Sequence, residues 1–239
     1  MTRSCILFLI LMLVQVCQDA FAQSKTLSFG LEVSLVNDRY EILDEGGHLT
    51  QVPLKSISGG VIASKDFGDK LFAETGILFK TYWEGFGYNN GLVYPSSDAF
   101  NSVLVPLRVG YKIKFIKGLS LAPTLGGALG INTDAIKATG KANGTIQTSG
   151  STLSYSYIEN ENVSRMFFLV QPRIKIELTL LKRLVVSGDF YQSFGFAAVN
   201  RLDITYSTDN SPDVSAKAIS KGQFWGAGLG VAYKFREGK

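Results

Sequence analysis

The stretch SGGVIASKDFGDKLFAETGILF, Ser58 to Phe79, decides the fold. Two apolar-rich runs flank a tiny turn at Phe67-Gly68-Asp69-Lys70. Side chains alternate along a strand. In the second run Glu74 and Lys80 therefore share one face, and Ala73, Thr75, Ile77 and Phe79 share the other. A strand half-buried in a water-soluble protein hides its apolar face and wets the charged one. A strand in a membrane barrel does the reverse. The hairpin thus asks which solvent surrounds it.

The start of the chain points to export. Met1–Gln23 carries Arg3, an apolar run from Ile6 to Val14 and Ala20-Phe21-Ala22, the pattern of a secretory signal peptide cleaved after Ala22. The run is shorter than the ~20 residues of a spanning helix. A lipoprotein signal at Cys17 would want a small residue where Val16 stands. Residues 1–22 are read as the signal and 23–239 as one domain of 239 − 22 = 217 residues. Cys5 and Cys17 leave with the signal, so a disulfide or a Cys-ligated metal is excluded from the mature chain.

The rest contains eight segments of period-two alternation, beginning near Thr26–Val36, Ser56–Asp66, Leu71–Glu84 and Asn101–Lys114. The others fall near Leu119–Ile131, Val163–Leu178, Arg183–Phe196 and Gln223–Phe235. Their connections alternate long and short, with short turns at Phe67–Lys70, Phe115–Gly118 and Thr179–Lys182. An outer-membrane barrel sorts its connections in this way, short turns in the periplasm and longer loops outside. Water is absent from the bilayer core, so each strand must pair on both sides and the sheet must close. The expected fold is all-β: an eight-stranded antiparallel up-and-down transmembrane barrel. The even strand number puts both termini in the periplasm.

On that reading the apolar faces meet lipid. Trp83 and Trp225 fall near the long-loop ends, and Tyr111, Phe115, Tyr233 and Phe235 near the short-turn ends, where aromatic girdles are expected. Strand parity puts Glu32, Glu74, Lys80, Arg108, Arg173 and Asp189 in the lumen, beside the small Gly126, Ala128, Gly226, Gly228 and Gly230. Eight strands leave room only for side chains, and charges there must pair. A buried ion-pair network filling the lumen is expected. Pro106, Pro123 and Pro172 lie inside strands and each removes a ladder donor, so local bulges, or else different strand limits, are expected there.

The net charge of +4 conceals an asymmetry. The first long loop is read as acidic through Asp38, Glu41, Asp44 and Glu45, whereas the short-turn rim gathers Lys112, Lys114, Lys117, Lys182, Arg183 and Lys234. A basic rim suits anionic lipid headgroups. Nucleic acid would need basic and stacking residues gathered on one accessible surface, which the acidic outer loops do not offer.

Catalytic signals are sparse. His48 is the only histidine, and no nucleophile motif accompanies it among Ser96, Ser97 and Asp98. One imidazole is too few for a His-based metal site. GGALG and GAGLG open no helix and lack a following Lys-Ser/Thr, so a phosphate loop is rejected. No cofactor is expected. Asn143 and Asn162 match a glycosylation sequon that carries no weight in a bacterial loop. The alternation TIQTSGSTLSYSYI suggests that the third long loop is a hairpin turning near Ser149-Gly150.

The mature chain resembles the small porin-like outer-membrane β-barrels of Bacteroidota. The resemblance rests on the hairpin quoted above, VLVPLRVGYKI, LSLAPTLGGALGI and the final GVAYKF. Phe235 is similar to the terminal aromatic read by the barrel assembly machinery, although Arg236–Lys239 follow it. Likeness to OmpA-type membrane domains implies a filled barrel in the outer membrane of a Gram-negative bacterium. It also implies outer-membrane lipids and an unidentified extracellular ligand as partners. The expected role is non-enzymatic, in envelope structure or surface binding through four long loops. A narrow porin-like channel is the alternative. A lipid-modifying enzyme using His48 comes next, and a soluble ligand-carrying barrel last.

Overall fold

The computed structural model describes residues 26–83, 85–88, 91–93, 100–133, 142–148, 151–159, 164–209 and 211–236. The expected signal peptide, Ser96, Ser97, Asp98 and Asn162 lie outside them.

Eight strands form the barrel: β1 Thr26–Asp38, β2 Leu54–Phe67, β3 Leu71–Tyr82, β4 Phe100–Tyr111, β5 Leu119–Asn132, β6 Met166–Leu180, β7 Leu184–Gly195 and β8 Phe224–Arg236. Each pairs antiparallel with its neighbours in sequence, and β8 pairs with β1 to close the sheet. Ile113–Ile116 carries β4 past Lys112 to its short turn.

The alternation explains the inside and the outside. On β1, Phe29, Leu31, Val33 and Leu35 are 50–68% exposed, while Ser28, Glu32, Ser34, Val36 and Asp38 are buried. On β3, Ile77 and Phe79 are exposed and Glu74, Leu78 and Lys80 are buried. The same outward apolar surface continues on the other strands, for example at Leu107, Ile174, Phe190 and Leu229. Soluble monomers rarely expose so continuous an apolar patch. It is the lipid-facing band of a barrel.

The expected bulges are absent. Glu74↔Arg108 and Leu78↔Leu104 keep one register on either side of Pro106. Arg173↔Tyr191 and Val170↔Phe194 do so around Pro172, and Ile113↔Leu121 and Thr124↔Gly110 around Pro123. A proline lacks a donor toward one neighbour only. The ladder skips rungs on that side and stays continuous on the other, where Pro106 faces Ala128, Pro123 faces Ile174 and Pro172 faces Leu125. Among the described residues the barrel ladder shifts register at Leu119/Ser120, beside a short turn.

Beyond the barrel mouth the long connections fold together. Ala142–Thr148, Ser151–Glu159, Asn200–Thr208, Val214–Ser220 and Glu41–Asp44 make a five-stranded sheet, in that order. Leu49–Thr50, Phe86–Tyr88 and Gly91–Val93 make a three-stranded one. The hairpin expected around Ser149-Gly150 is present, since Thr148 pairs with Ser151. One face of the larger sheet buries Leu153, Leu202, Ile204 and Tyr206 in a cluster with Leu49, Phe86 and Tyr88 of the smaller one. This is a second apolar core, separate from that inside the barrel.

Two residues stand elsewhere than expected. Trp83 packs against this second core instead of standing in a lipid-facing girdle, because β3 ends at Tyr82 and the alternation stops there. Asp38, counted among the loop acids, is the last residue of β1 and is fully buried.

Candidate functional site

The lumen is filled in tiers. In the middle tier Arg173 grips Glu32 with both guanidinium ends, one at 2.8 Å. Its Nη2 also lies 3.3 Å from Asp189. Arg108 donates to Glu74 at 2.8 Å and reaches Glu32 at 3.4 Å. Lys175 pairs with the other oxygen of Glu74. Three carboxylates thus meet three cations. Such balance is what a buried charge cluster needs, since each ion gave up its water. Glycine makes the space: a Cβ at Gly228 would stand 2.4 Å from Ser34 Oγ and 2.9 Å from Asp189 Oδ1.

Of the six lumen candidates, Glu32, Glu74, Arg108, Arg173 and Asp189 meet in this tier. Lys80 does not join them. It lies nearer the long loops, on Asp38 at 2.8 Å and Ser56 at 2.9 Å. Its ammonium sits 3.9 Å from the Tyr82 ring centroid and 4.7 Å from that of Phe224. Lys80 is two rungs further from the short turn than Leu78, so its partner had to come from the top of β1, where Asp38 had passed for a loop residue. Lys175 was also missed, although it shares the parity of Arg173.

Toward the short turns, Lys112 bridges Asp66 at 2.6 Å and Glu177 at 3.5 Å. A cavity of about 40 Å³ there is lined by Ser28, Ser64, Glu177, Ser187 and Lys234 among others, which is room for water and little else. Toward the long loops the lumen is filled by the buried side chains of Leu78, Tyr82, Phe167, Tyr191 and Phe224.

The remaining girdle candidates stand on the outer face. Tyr111, Tyr233 and Phe235 are 41%, 39% and 49% exposed. The Tyr233 and Phe235 rings meet edge-on at 4.9 Å, and Trp225 leans on Phe190 at 5.9 Å.

The open surface lies on the five-stranded sheet. Opposite its buried face, the register aligns Thr145, Ser154 and Ser207 in one row and Asn143, Ser156, Thr205 and Ser215 in the next. Neighbouring strands lie ~4.8 Å apart, so the rows form a lattice of hydroxyl and amide groups. A shallow, open groove of about 370 Å³ runs over it, and among the described residues Asp213 is the one ionic side chain in its lining.

His48 sits at the edge of the loop layer. Its ring meets Tyr206 edge-on at 6.2 Å. Beside it Asp44 accepts the N–H groups of Leu49 at 2.7 Å and Gly46 at 3.0 Å and the Tyr206 hydroxyl at 2.7 Å. Burial pushes the Asp44 carboxyl up, but the Leu49 N–H, the Tyr206 hydroxyl and the Gly46 N–H outweigh it and hold the group below its usual range. Burial and the Asp44 carboxylate both raise Tyr206. Asp44 therefore works as a turn brace, and among the described residues no group of three or more His, Asp or Glu could hold a metal.

No protein-family model matches the chain. No curated protein matches it either. Solved structures do. The outer membrane protein OprG of Pseudomonas aeruginosa is 11% identical, with a TM-score of 0.52 over 90% of this chain and 98% of that one. A major outer membrane protein of Thermus thermophilus is 15% identical, with a TM-score of 0.46 over 87% and 99%. The outer membrane protein AlkL is 13% identical, with a TM-score of 0.44 over 91% and 92%. The closed eight-stranded antiparallel barrel described above is thus the fold found in an outer membrane protein, OprG.

Proposed function

We propose that this chain is a non-enzymatic outer-membrane protein whose barrel is a closed stalk and whose work is done on the long-loop sheet. The short turns and both termini then face the periplasm and the long loops face the exterior. The observation that carries this reading is the contrast between the two ends of the structure. The lumen is packed with balanced charges and capped by aromatic rings. The loop layer, by contrast, has its own apolar core and turns an open, hydroxyl-lined groove outward. A groove of neutral hydroxyls suits an uncharged polyhydroxyl ligand, such as a stretch of oligosaccharide, better than an ionic one.

Two measurements test it. Folded protein in a planar bilayer should carry no steady current, whereas a steady ion-selective current would favour the porin-like channel. A panel of neutral oligosaccharides should bind wild type and lose binding on Ser154→Leu with Thr205→Leu. Equal binding by both proteins would remove the groove from the reading. The His48 enzyme is disfavoured by His48 packing on a turn brace.

A further inference from the structure

We infer that one side of the short-turn rim is a docking site for the phosphate headgroups of anionic phospholipids. This rests on the outer-membrane reading above, because the rim must face a phospholipid leaflet.

The rim is unevenly charged. The hairpin joining β2 to β3 sets Lys65 and Lys70 against Asp66 and Asp69. Lys112 is occupied by Asp66 and Glu177. The next two hairpins differ. Between Ile113 and Leu119, and between Leu178 and Leu184, there is no acidic residue, yet Lys114, Lys117, Lys182 and Arg183 are all exposed. These hairpins are neighbours, since the Thr179 N–H donates to the Gly118 carbonyl at 2.7 Å. The basic groups form one crest, bounded by Tyr233, whose hydroxyl accepts from Arg183 at 2.9 Å.

The second observation concerns the turn itself. Leu181 and Lys182 both have positive φ, 48° and 65°, and the Arg183 N–H closes the turn on the Leu180 carbonyl at 3.2 Å. That turn type favours Asn-Gly. Leucine there is costly, and its side chain is 91% exposed. Nearby Ile116 and Phe115 are 67% and 62% exposed. The strained turn holds an apolar side chain outward, which suits a non-aqueous neighbour. At a membrane boundary the three apolar side chains dip among acyl chains. The lysine stems lie along them and lift their ammonium groups to the phosphates.

The test uses the folded protein in nanodiscs of phosphatidylcholine with a minor share of phosphatidylglycerol. The protein is then extracted into mild detergent and its retained lipids counted by native mass spectrometry. Wild type should retain phosphatidylglycerol several-fold above its share of the bilayer. The variant Lys114→Gln/Lys117→Gln/Lys182→Gln/Arg183→Gln should fall to that share, and Lys70→Gln should not. Wild type retaining lipids at the bilayer ratio overturns the proposal whatever the variants do. Unchanged enrichment in the fourfold variant overturns it too. Failure of wild type to insert into nanodiscs would instead strike at the outer-membrane reading.

Discussion

At the residue scale Glu74 holds the most. It bridges Arg108 and Lys175 and lies 3.6 Å from Arg173. Removing one member of a buried ion cluster leaves its partners unpaired, at about 3–5 kcal/mol. Glu74→Gln should therefore destabilise the folded barrel by that much, read from the urea dependence of its gel mobility. Asp44 gives a different signature. Its folded pKa is depressed, so its stabilisation is present above the unfolded carboxylate value of ~3.9. It is lost as pH falls through the lower folded value. Tyr206 is raised, so its contribution is present below the unfolded value of ~10 and lost as pH climbs past it. Trp83 packs on this core, and its fluorescence should report an acid step below pH ~4 that Asp44→Asn removes.

At the scale of elements the prolines are instructive. Pro106 is buried and its own carbonyl accepts from Thr75 Oγ1 at 2.8 Å. Register is undisturbed on both sides of it, so Pro106→Ala should restore a donor toward β3 without any refolding of the sheet. The change should be neutral to stabilising by about 1 kcal/mol, measured as a shift in the unfolding midpoint. A marked loss would mean that the proline sets the local path of β4. Strand parity was legible in the sequence because one solvent lies on each side of the sheet, which forces alternation at every position from Phe29 to Leu35. Strand ends were not legible. Asp38 continues the inward parity of Glu32, but nothing local distinguishes a charged residue closing a strand from one opening a loop.

For the whole molecule, the number of strands and the sorting of long from short connections were also legible, since both follow from closing a sheet across a bilayer. The loop layer was not. Its first contribution is two strands of four and two residues, Glu41–Asp44 and Leu49–Thr50, too short to carry a pattern. Their partners lie far along the chain, as where Ala218 pairs with Ile42. The lumen tiers predict a collective property: Arg108→Ala alone should leave the barrel non-conducting, because Tyr82, Phe167 and Phe224 still close the long-loop half. Current appearing in that variant by itself would show that the charge tier is the whole seal.

Interleaving of three long connections in one sheet also limits how this surface can change. A barrel with independent loops can exchange one under immune or phage pressure and keep the rest. Here a new first loop would have to preserve Ile42 against Ala218, and a new third loop would have to preserve Tyr155 against Tyr206. Variation is then confined to outward hydroxyl positions such as Ser154 and Thr205, and to length at the hairpin tip between Thr148 and Ser151. On the outward orientation proposed above, an epitope tag for surface display belongs at that tip. The same insertion beside Ile204 or Ala216, which pair within the sheet, would break the layer apart.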